Sequence, residues 1–506
     1  MRRRRVLLVD LPSYSVPVTS PYRELLERRL KAQSVLCSQR LGFAPSRPGL
    51  PYSRGLLLVA AYLEQKGHYI EYLVYPDPGD ARKFADLCKE ADVIGFTAMT
   101  PVVQQVYALS KQAKALNPTA ICVLGGAHAN VMAVQCLEEC PELDAVVTGE
   151  GEETFAQFVD HLDSYQDIAG VVYRRAGYEP VQNPAQQNGR LIAAADTPGP
   201  AYHLLRRPLF AYAHNIRTYL GCPYKCDFCI ERLSWRGRKG RNSLDRVMDE
   251  IRLVSQGAAP KTLIHFSDSI FTLDKDRALE LCYLLANAQL DVVFSCDTRV
   301  DRIDADLVKA MAAAQFVTIR LGVEDLDDGI LREVNKDIVA DQSLRAVDII
   351  RSVAPQIIIH AYMLTGLPGS TIETLTRAAY NIRELVHQEK VDVIGNKILV
   401  PYPGSLYFEA PEQHQMEILH HNWSKFDRLS FPVYRMASLT EYQIYFGFLT
   451  LESALLQAYE ARVTNSRDID QAPPQSLDYV YRSYVQQVGL QLEAEVSLAG
   501  KGSTLQ

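Results

Sequence analysis

Short apolar runs alternate with helical patterns along the first third of the chain. The runs predict strands at residues 5–11, 69–74, 92–97, 120–124 and 145–147, and the patterns between them predict helices at 55–66, 81–90 and 103–116. Strands separated by helices of about ten to fifteen residues imply right-handed crossovers and a parallel sheet. The pattern therefore predicts a doubly wound, Rossmann-like α/β sheet, whose ligands bind beyond the carboxyl ends of the strands.

A second alternation of apolar runs and helical patterns begins near residue 215. Strands are predicted at 215–220, 262–266, 291–296, 316–323, 356–364 and 391–399, with helices such as 243–254, 274–288 and 371–387 between them. Six strand–helix units predict a partial (β/α)6 barrel of the TIM type, with active-site groups at the carboxyl ends of its strands. The chain after about residue 413 has a helical pattern with an aromatic stripe typical of a core.

Breaks in these patterns divide the chain into four parts. Residues 1–165 form the first sheet, 166–205 a linker with a strong breaker at Thr197–Pro200, 206–410 the partial barrel, and 411–506 a helical C-terminal region. A chain of 506 residues is long enough for several domains, each with its own core. The predicted fold class is therefore α/β in both large domains, followed by helices.

Composition and charge narrow the class of protein. The chain has 47% hydrophobic and 22% charged residues, as soluble proteins do, and its net charge of -7 argues against nucleic acid as the main partner. Its ten cysteines do not form a disulfide framework and indicate a reducing compartment. The apolar run after Arg2–Arg5 is too short for a signal peptide, and no run is long enough to span a membrane. We expect a cytoplasmic protein.

The most specific motif is Gly-Cys-Pro-Tyr-Lys-Cys-Asp-Phe-Cys at residues 221–229, a C-x3-C-x2-C arrangement of Cys222, Cys226 and Cys229. Three thiolates in one loop can hold three irons of a 4Fe-4S cluster and leave the fourth iron open for a ligand. The alternative, a zinc site, normally needs four protein ligands, and only Cys282 and Cys296 follow, far apart. We therefore predict that the three cysteines are metal ligands.

This motif, with Phe228 before the third cysteine, resembles the signature of the radical S-adenosylmethionine (SAM) superfamily. The resemblance implies that the open iron binds SAM, that reduction cleaves it to a 5'-deoxyadenosyl radical, and that an external donor of the flavodoxin or ferredoxin type supplies the electron. Strand-end residues that look like family positions for SAM are Asp268, Ser269, Arg299, Glu324, Gly366 and Pro368. Tyr402, after the sixth strand, resembles a residue of the reaction chamber. Helix capping or structural ion pairing is the alternative for the charged members.

The first domain resembles the cobalamin-binding domain that precedes the radical SAM core in one large subfamily. The resemblance rests on L-L-V-D, D-V-I-G-F-T, L-G-G-A-H and V-T-G-E-G-E-E-T-F, in that order. It implies that cobalamin lies against the strand-end loops, at Ser13, Tyr14, Thr97, Gly125, Gly126, His128, Gly149, Glu150, Gly151 and Glu152. The motif D-x-H-x-x-G, whose histidine coordinates cobalt in many cobalamin proteins, is absent. We therefore expect cobalt without a histidine lower ligand.

These resemblances together imply a methyltransferase. One SAM would methylate cobalt, and a second would yield the radical that abstracts hydrogen from an unactivated carbon of a small-molecule or peptide substrate, as in natural product biosynthesis. Two alternatives stay open: a cobalamin-binding enzyme of the same kind that cyclises, contracts a ring or removes a hydroxyl group, and a non-catalytic cobalamin sensor. A methylthiotransferase would need an N-terminal cluster, and Cys37, Cys88, Cys122, Cys136 and Cys140 form no recognisable triad.

Overall fold

A seven-stranded sheet and a six-stranded sheet organise the protein. The structure, a computed structural model, describes residues 3–11, 21–43, 49–75, 80–174, 179–184, 197–231 and 240–466. None of the helices in these ranges is both long and apolar enough to cross a membrane.

The first sheet has the order β2-β1-β3-β4-β5-β6-β7. Its strands are β1 (Arg5–Asp10), β2 (Tyr69–Val74), β3 (Val93–Thr97), β4 (Ile121–Gly125), β5 (Ala145–Val147), β6 (Val171–Arg174) and β7 (Pro180–Gln182). The first five run parallel, whereas β6 and β7 each pair antiparallel with the preceding strand. The predicted parallel sheet is confirmed, and its strands begin and end within about two residues of the predicted bounds.

Helices cover both faces of this sheet. They are α2 (Arg54–Gln65), α3 (Asp80–Glu90), α4 (Val103–Leu116), α5 (Ala129–Glu139) and α6 (Gly151–Asp160), while α1 (Pro21–Leu41) leaves the sheet. In β1, Val6 and Leu8 belong to the core under α2 and α6, and Leu7 and Val9 to the core under α4 and α5. A strand buried on both faces reads as a continuous apolar run, which is why this one is easily predicted.

The antiparallel edge comes from the segment predicted as a linker. Val171 and Val172 in β6 are fully buried, and Val172 pairs with Val146 of β5. Burial of these two valines favours extension of the sheet over a loop on its surface. The first part of the segment predicted as a linker therefore belongs to the first sheet.

The second sheet has the order β15-β14-β13-β12-β11-β8, all parallel. Its members are β8 (His214–Ile216), β11 (Thr262–Phe266), β12 (Val292–Arg299), β13 (Phe316–Glu324), β14 (Ile358–Thr365) and β15 (Val393–Ile398). Two small antiparallel pairs flank it: β9 (Tyr219–Leu220) with β10 (Gly240–Arg241), and β16 (Met416–Ile418) with β17 (Tyr434–Met436). The edge strands β8 and β15 do not pair with each other, so the predicted partial barrel of six strands is confirmed.

The helices of the second half are α7 (Leu244–Gln256), α8 (Lys275–Asn287), α9 (Ala305–Ala313), α10 (Asp328–Glu333), α11 (Ala340–Val353), α12 (Ile372–His387), α13 (Leu406–Glu409) and α14 (Glu441–Val463). At most of these helix starts, the N-cap side chain accepts a hydrogen bond from a backbone N–H of the first turn. Such caps are Ser243, Asp274, Asp304, Asp327, Thr371 and Thr440. Each satisfies an N–H group that the first turn leaves without a partner.

Helix α1, which the sequence analysis did not predict, packs beside the edge strand β15 together with α14. Arg29 of α1 forms a buried ion pair with Glu452 of α14, with 3.2 Å between Nε and Oε2. The same guanidinium donates to the carbonyl oxygen of Ile394 at 2.9 Å, and the Tyr459 hydroxyl accepts from the Ile394 N–H at 3.0 Å. An N-terminal helix thus covers the open side of the barrel.

Candidate active site between the two sheets

The cysteine loop begins at Gly221, whose φ of 89° is a conformation that glycine adopts without strain. Cys222, Cys226 and Cys229 follow as free thiols. Asp227 holds the loop in place from inside the motif: its N–H donates to the Val334 carbonyl oxygen at 3.2 Å, and its Oδ2 accepts from Asn335 Nδ2 at 2.7 Å. The loop is therefore tied to the segment that follows α10.

The three thiols are of the kind that binds the irons of an iron–sulfur cluster. Burial raises the pKa of each thiol, while Arg299 and Lys336 act in the opposite direction on Cys222 and Cys226. Among the described residues, no three His, Cys, Asp or Glu side chains surround one point as the ligands of a single metal ion would. The three cysteines follow one another along a single loop, and thiolates are the usual donors to the irons of a cluster, so the ligand assignment stays a prediction.

Arg299, at the end of β12, is part of the wall of this loop. Its guanidinium carbon lies 3.6 Å from the centroid of the Tyr224 ring, within the cysteine motif, and its Nε is 2.9 Å from Asp301 Oδ1. The Tyr224 hydroxyl in turn accepts from Arg302 at 2.6 Å. The structural ion pair, which was the alternative for Arg299, is therefore present and holds the guanidinium against the cysteine loop, and its contact with SAM stays a prediction.

Glu324, at the end of β13, lies on the other side of the loop with Lys336. The Lys336 Nζ donates to Glu324 Oε1 at 2.8 Å, and both side chains are buried. Burial alone would lower the pKa of Lys336, but the Glu324 carboxylate holds it above its usual value. Glu324 has a φ of 68° and lies at a bulge between β13 and β14, so the strand turns its carboxylate toward the loop.

Asp268, after β11, is buried under the chain that leads to the cysteines. Its carboxylate accepts from the N–H groups of Thr218 and Tyr219 at 2.8 and 3.0 Å and from the Thr218 hydroxyl at 2.6 Å. Burial raises the pKa of Asp268 against the effect of these bonds. Its neighbour Ser269 is exposed and donates to Glu231, two residues after the last cysteine, at 2.8 Å.

Gly366 and Pro368 form a buried turn after β14. Gly366 has a φ of 84°, and a Cβ there would lie 2.4 Å from the Tyr434 hydroxyl oxygen and 2.7 Å from Ile444 Cγ2. The Tyr434 hydroxyl donates to the Gly366 carbonyl oxygen at 2.5 Å. The glycine is therefore required by packing against the C-terminal region, and adenine contact by this turn stays a prediction.

The carboxyl ends of the first sheet come together at Thr97 and Gly125, which are paired in register and partly exposed. Gly126 follows with a φ of 98°, and a Cβ there would lie 2.7 Å from Thr97 Oγ1 and 2.9 Å from the Ala98 nitrogen. Only glycine permits this close approach of two loops. The edge thus presents backbone and small side chains at Thr97, Gly125 and Gly126, which fits the close approach of a large ligand such as cobalamin.

His128 lies below this edge. Its side chain is buried, with Nδ1 3.1 Å from Thr100 Oγ1 and its ring 5.1 Å from the Trp423 ring in an edge arrangement. Its Nε2 is covered as well and has no hydrogen-bond partner among the described residues. Burial lowers the pKa of His128 to about 4, so the imidazole is neutral near pH 7. It packs between the first sheet and the C-terminal region.

The other predicted cobalamin contacts lie at the start of α6. Gly149 is exposed with a φ of 82°, and its N–H donates to Asn130 Oδ1 at 2.8 Å. Glu150 precedes the helix, and Gly151 and Glu152 form its first turn. Burial raises the pKa of Glu152. Ser13 and Tyr14 lie outside the described residues.

Between the two sheets, polar side chains line the inner face of the barrel. Tyr402 is partly buried beside the core that holds Trp423 and Phe426, at the boundary of both domains. Burial raises its pKa to about 12, and Arg428 and Asp427 act on it as neighbouring charges. Arg428 reaches this place because its carbonyl oxygen accepts from Ile398 N–H, at the end of β15, at 2.9 Å.

Four further residues at the site were not predicted from the sequence: Tyr224, Asp227, Lys336 and Arg428. The first two stand inside the cysteine motif, so their position was already a signal. Lys336 and Arg428 are distant in sequence from the motif and carry no local pattern. Only the folded arrangement brings them to the site.

Two family models match the chain. One, described as the B12 binding domain, covers residues 43–159, and one, described as the radical SAM superfamily, covers residues 216–379. An uncharacterized methyltransferase of Pyrococcus horikoshii, PH0819, is 30% identical over 378 residues, which cover 71% of this chain and 79% of that protein. An anaerobic magnesium-protoporphyrin IX monomethyl ester cyclase of Rubrivivax gelatinosus is 29% identical over 333 residues, covering 63% of this chain and 58% of that protein.

The fold is also that of the radical SAM methyltransferase TsrM from Kitasatospora setae, solved with cobalamin and a [4Fe-4S] cluster. The TM-score is 0.61 at 17% identity, with 84% of this chain and 85% of TsrM covered. The chain belongs to the family of cobalamin-dependent radical SAM enzymes. Within it, the predicted methyltransferase with a 4Fe-4S cluster, SAM and cobalamin is confirmed, and neither the non-methylating enzyme nor the sensor is favoured.

Proposed function

We propose that this methyltransferase acts on an unactivated carbon of a small molecule bound between the barrel and the first sheet. The observation that carries the proposal is that the segment after β15 meets both parts of the site. The Leu406 N–H donates to the carbonyl oxygen of Asp227 in the cysteine loop at 3.0 Å, and Tyr402 packs against the core that contains Ala98 and Leu124 of the first sheet. When bound, the cluster and SAM supply a 5'-deoxyadenosyl radical, and cobalamin supplies the methyl group.

In this proposal Cys222, Cys226 and Cys229 hold the cluster, and Asp227 keeps their loop against Val334 and Asn335. SAM lies between Arg299, Ser269 and Glu324. Arg299 offers N–H groups to a carboxylate, and Glu324 accepts from hydroxyl groups while Lys336 balances its charge. Asp268 is a positioning residue, because all of its described hydrogen bonds go to Thr218 and Tyr219.

Cobalamin lies against Thr97, Gly125, Gly126 and the turn Gly149–Glu152, and the covered His128 supports the loop below it. Tyr402 stands between this surface and the barrel, where it limits the access of water to the reacting carbon. A radical reaction needs no general base, so the task of these side chains is to orient the reactants and to exclude solvent. An external flavodoxin- or ferredoxin-type donor supplies the electron.

A small molecule is favoured as the substrate because TsrM, which has the same fold, was solved with tryptophan as its substrate. The alternative, a cyclisation, is less well supported, because the chain covers 58% of the Rubrivivax gelatinosus cyclase and 79% of PH0819.

The test is anaerobic reconstitution with iron, sulfide and hydroxocobalamin, followed by SAM, a strong reductant and mass spectrometry. Formation of 5'-deoxyadenosine together with methylated cobalamin is the expected result. 5'-Deoxyadenosine without methylated cobalamin would contradict methyl transfer and favour cyclisation. Neither product, with cobalamin bound, would contradict both enzymatic candidates.

A further inference from the structure

Two cations at the open side of the barrel have no counter-ion among the described residues: Lys397, near the end of β15, and Arg428. Neither forms an ion pair or a side-chain hydrogen bond within those ranges. Lys397 is partly buried, and burial lowers its pKa to about 8, with the like charges of Arg428 and Arg29 acting in the same direction and the carboxylates of Glu452 and Asp427 opposing them. A partly buried ammonium group without a partner is unfavourable in the free protein.

Lys397 projects into the barrel. A Cβ on Gly395 would lie 2.6 Å from His360 Nε2 and 2.9 Å from Tyr362 Cδ1, so these side chains of β14 share a face with Gly395. Alternate residues of a strand lie on the same face, which places Lys397 there too. On the opposite face, Asn396 donates to Glu452 of α14 at 3.1 Å.

The positive charge of Arg428 also acts on two tyrosine hydroxyls of this region. Burial raises the pKa of Tyr362 and of Tyr402 to about 12, and Arg428 opposes that rise at both hydroxyls. The Arg428 carbonyl oxygen accepts from the N–H of Ile398, the residue after Lys397, at 2.9 Å, so Arg428 lies at this end of β15 with its side chain exposed.

The acids nearby are engaged elsewhere. Glu452 pairs with Arg29, and Asp427 accepts from the Leu429 N–H at 2.9 Å within its own turn. Asp297, deeper in the barrel, is 3.1 Å from His265 Nε2 and 3.5 Å from the Tyr362 hydroxyl. Two positive charges therefore remain for a ligand.

We propose that Lys397 and Arg428 bind a carboxylate or phosphate group of the substrate, with the Tyr362 hydroxyl beside them; this inference rests on the proposed function. The substrate is then an anionic small molecule whose charged end is held at β15, which leaves its other end to face the cysteine loop. Charge-assisted hydrogen bonds from an ammonium and a guanidinium give such a group both affinity and orientation.

The test uses the reconstituted holoenzyme with SAM and without reductant, so that no turnover occurs. Binding of phenyl phosphate, phenylacetate and the neutral phenylacetamide is measured by saturation-transfer NMR titration. We expect one of the two anions to bind about tenfold more tightly than phenylacetamide, and the identity of that anion distinguishes phosphate from carboxylate. Lys397→Gln and Arg428→Gln should each weaken its binding about tenfold, a loss of about 1.4 kcal/mol.

Lys425→Gln is the matched control, because Lys425 is exposed in the same segment and its replacement removes one positive charge outside the barrel. If a glutamine variant fails to retain cobalamin, Lys397→Arg and Arg428→Lys replace it and should keep the preference for anions. Equal affinity for all three probes in the wild type, no binding, or an anion preference that survives Lys397→Gln with Arg428→Gln would overturn the proposal. Failure of the proposed function is seen separately, in the products that the wild-type enzyme forms from SAM.

Discussion

Glu324 and Lys336 form a buried ion pair beside the cysteine loop, with the ammonium group 5.7 Å from the centroid of the Phe228 ring. Glu324 ends β13, and Lys336 follows α10, so the pair fastens a strand end to the loop that also carries Asn335. The carboxylate that we assign to SAM is therefore held by a cation that also lies against the cluster motif.

Removing the Lys336 ammonium group should destabilise the folded protein. Lys336→Met leaves the Glu324 carboxylate buried without its partner, and we expect the free energy of unfolding of the apo-protein to fall by about 3 kcal/mol. Urea denaturation measures the change. Lys261→Met is the control, since Lys261 pairs with Asp291 at an exposed site and should contribute less than about 1 kcal/mol. Equal losses in the two variants would argue against a special role of the buried pair.

Cys226→Ala should abolish the iron–sulfur absorbance and the formation of 5'-deoxyadenosine, because two thiolates remain where three are needed. Cobalamin should still bind, since its surface belongs to the other sheet. Iron content, cobalamin content and 5'-deoxyadenosine are measured on one preparation. Cys37→Ala, in α1, serves as the control with one thiol fewer and should behave as wild type. A variant at Cys226 that keeps its full iron content would contradict the assignment.

His128→Gln should leave the coordination of bound cobalt unchanged. The imidazole is enclosed by Thr100 and Trp423, and its lowered pKa reflects that burial. Electron paramagnetic resonance of the Co(II) form should show no hyperfine splitting from a histidine nitrogen in either protein. Splitting that is present in the wild type and lost in the variant would identify His128 as a lower ligand and refute the prediction.

The buried carboxyl group of Asp10 should make the stability of the folded protein depend on pH. It is buried at the end of β1 and accepts from the Tyr72 hydroxyl at 2.6 Å, and burial raises its pKa to about 6. Between its unfolded pKa near 4 and its folded pKa, the folded state binds more protons, so this group contributes stability at low pH that is lost as pH rises through 6.

Asp10→Asn removes this titration. Relative to wild type, the variant should gain about 2–3 kcal/mol in unfolding free energy between pH 4 and pH 7.5, from about two pKa units at 1.4 kcal/mol each. Urea denaturation at both pH values provides the comparison. Asp245→Asn, at an exposed helix start, controls for the loss of one carboxylate. A gain of equal size in both variants would rule out Asp10 as the source.

Local pattern was enough to predict the sheets and the cysteine loop. The strands are continuous apolar runs, and the three cysteines are neighbours in sequence, so neither needs long-range information. The strand pattern also predicted which residues lie at the carboxyl edge of each sheet, but not the atoms that meet there. Asp268 was placed at a strand end correctly, yet its hydrogen bonds to Thr218 and Tyr219 depend on how two strands pack.

The contacts that could not be predicted from the sequence join residues that are far apart in the chain. Trp423 meets His128 and donates its indole N–H to Glu139 Oε2 at 2.8 Å, from almost three hundred residues away. Helix α1 has no clear apolar stripe, and its partners, β14 and α14, belong to distant parts of the chain. Periodicity reports burial against neighbours in general and does not identify them.

Because α1 packs against α14, which lies much later in the sequence, its folding during synthesis has to wait for that helix. Arg28 Nε donates to Glu460 at 3.1 Å, across 432 positions of sequence. A ribosome adds about 5–20 residues per second, so α1 waits on the order of half a minute, or longer, before its partner helix is synthesised. Throughout that interval its apolar side chains stay exposed to other nascent chains and to chaperones, and closure of the barrel is a late event of biosynthesis.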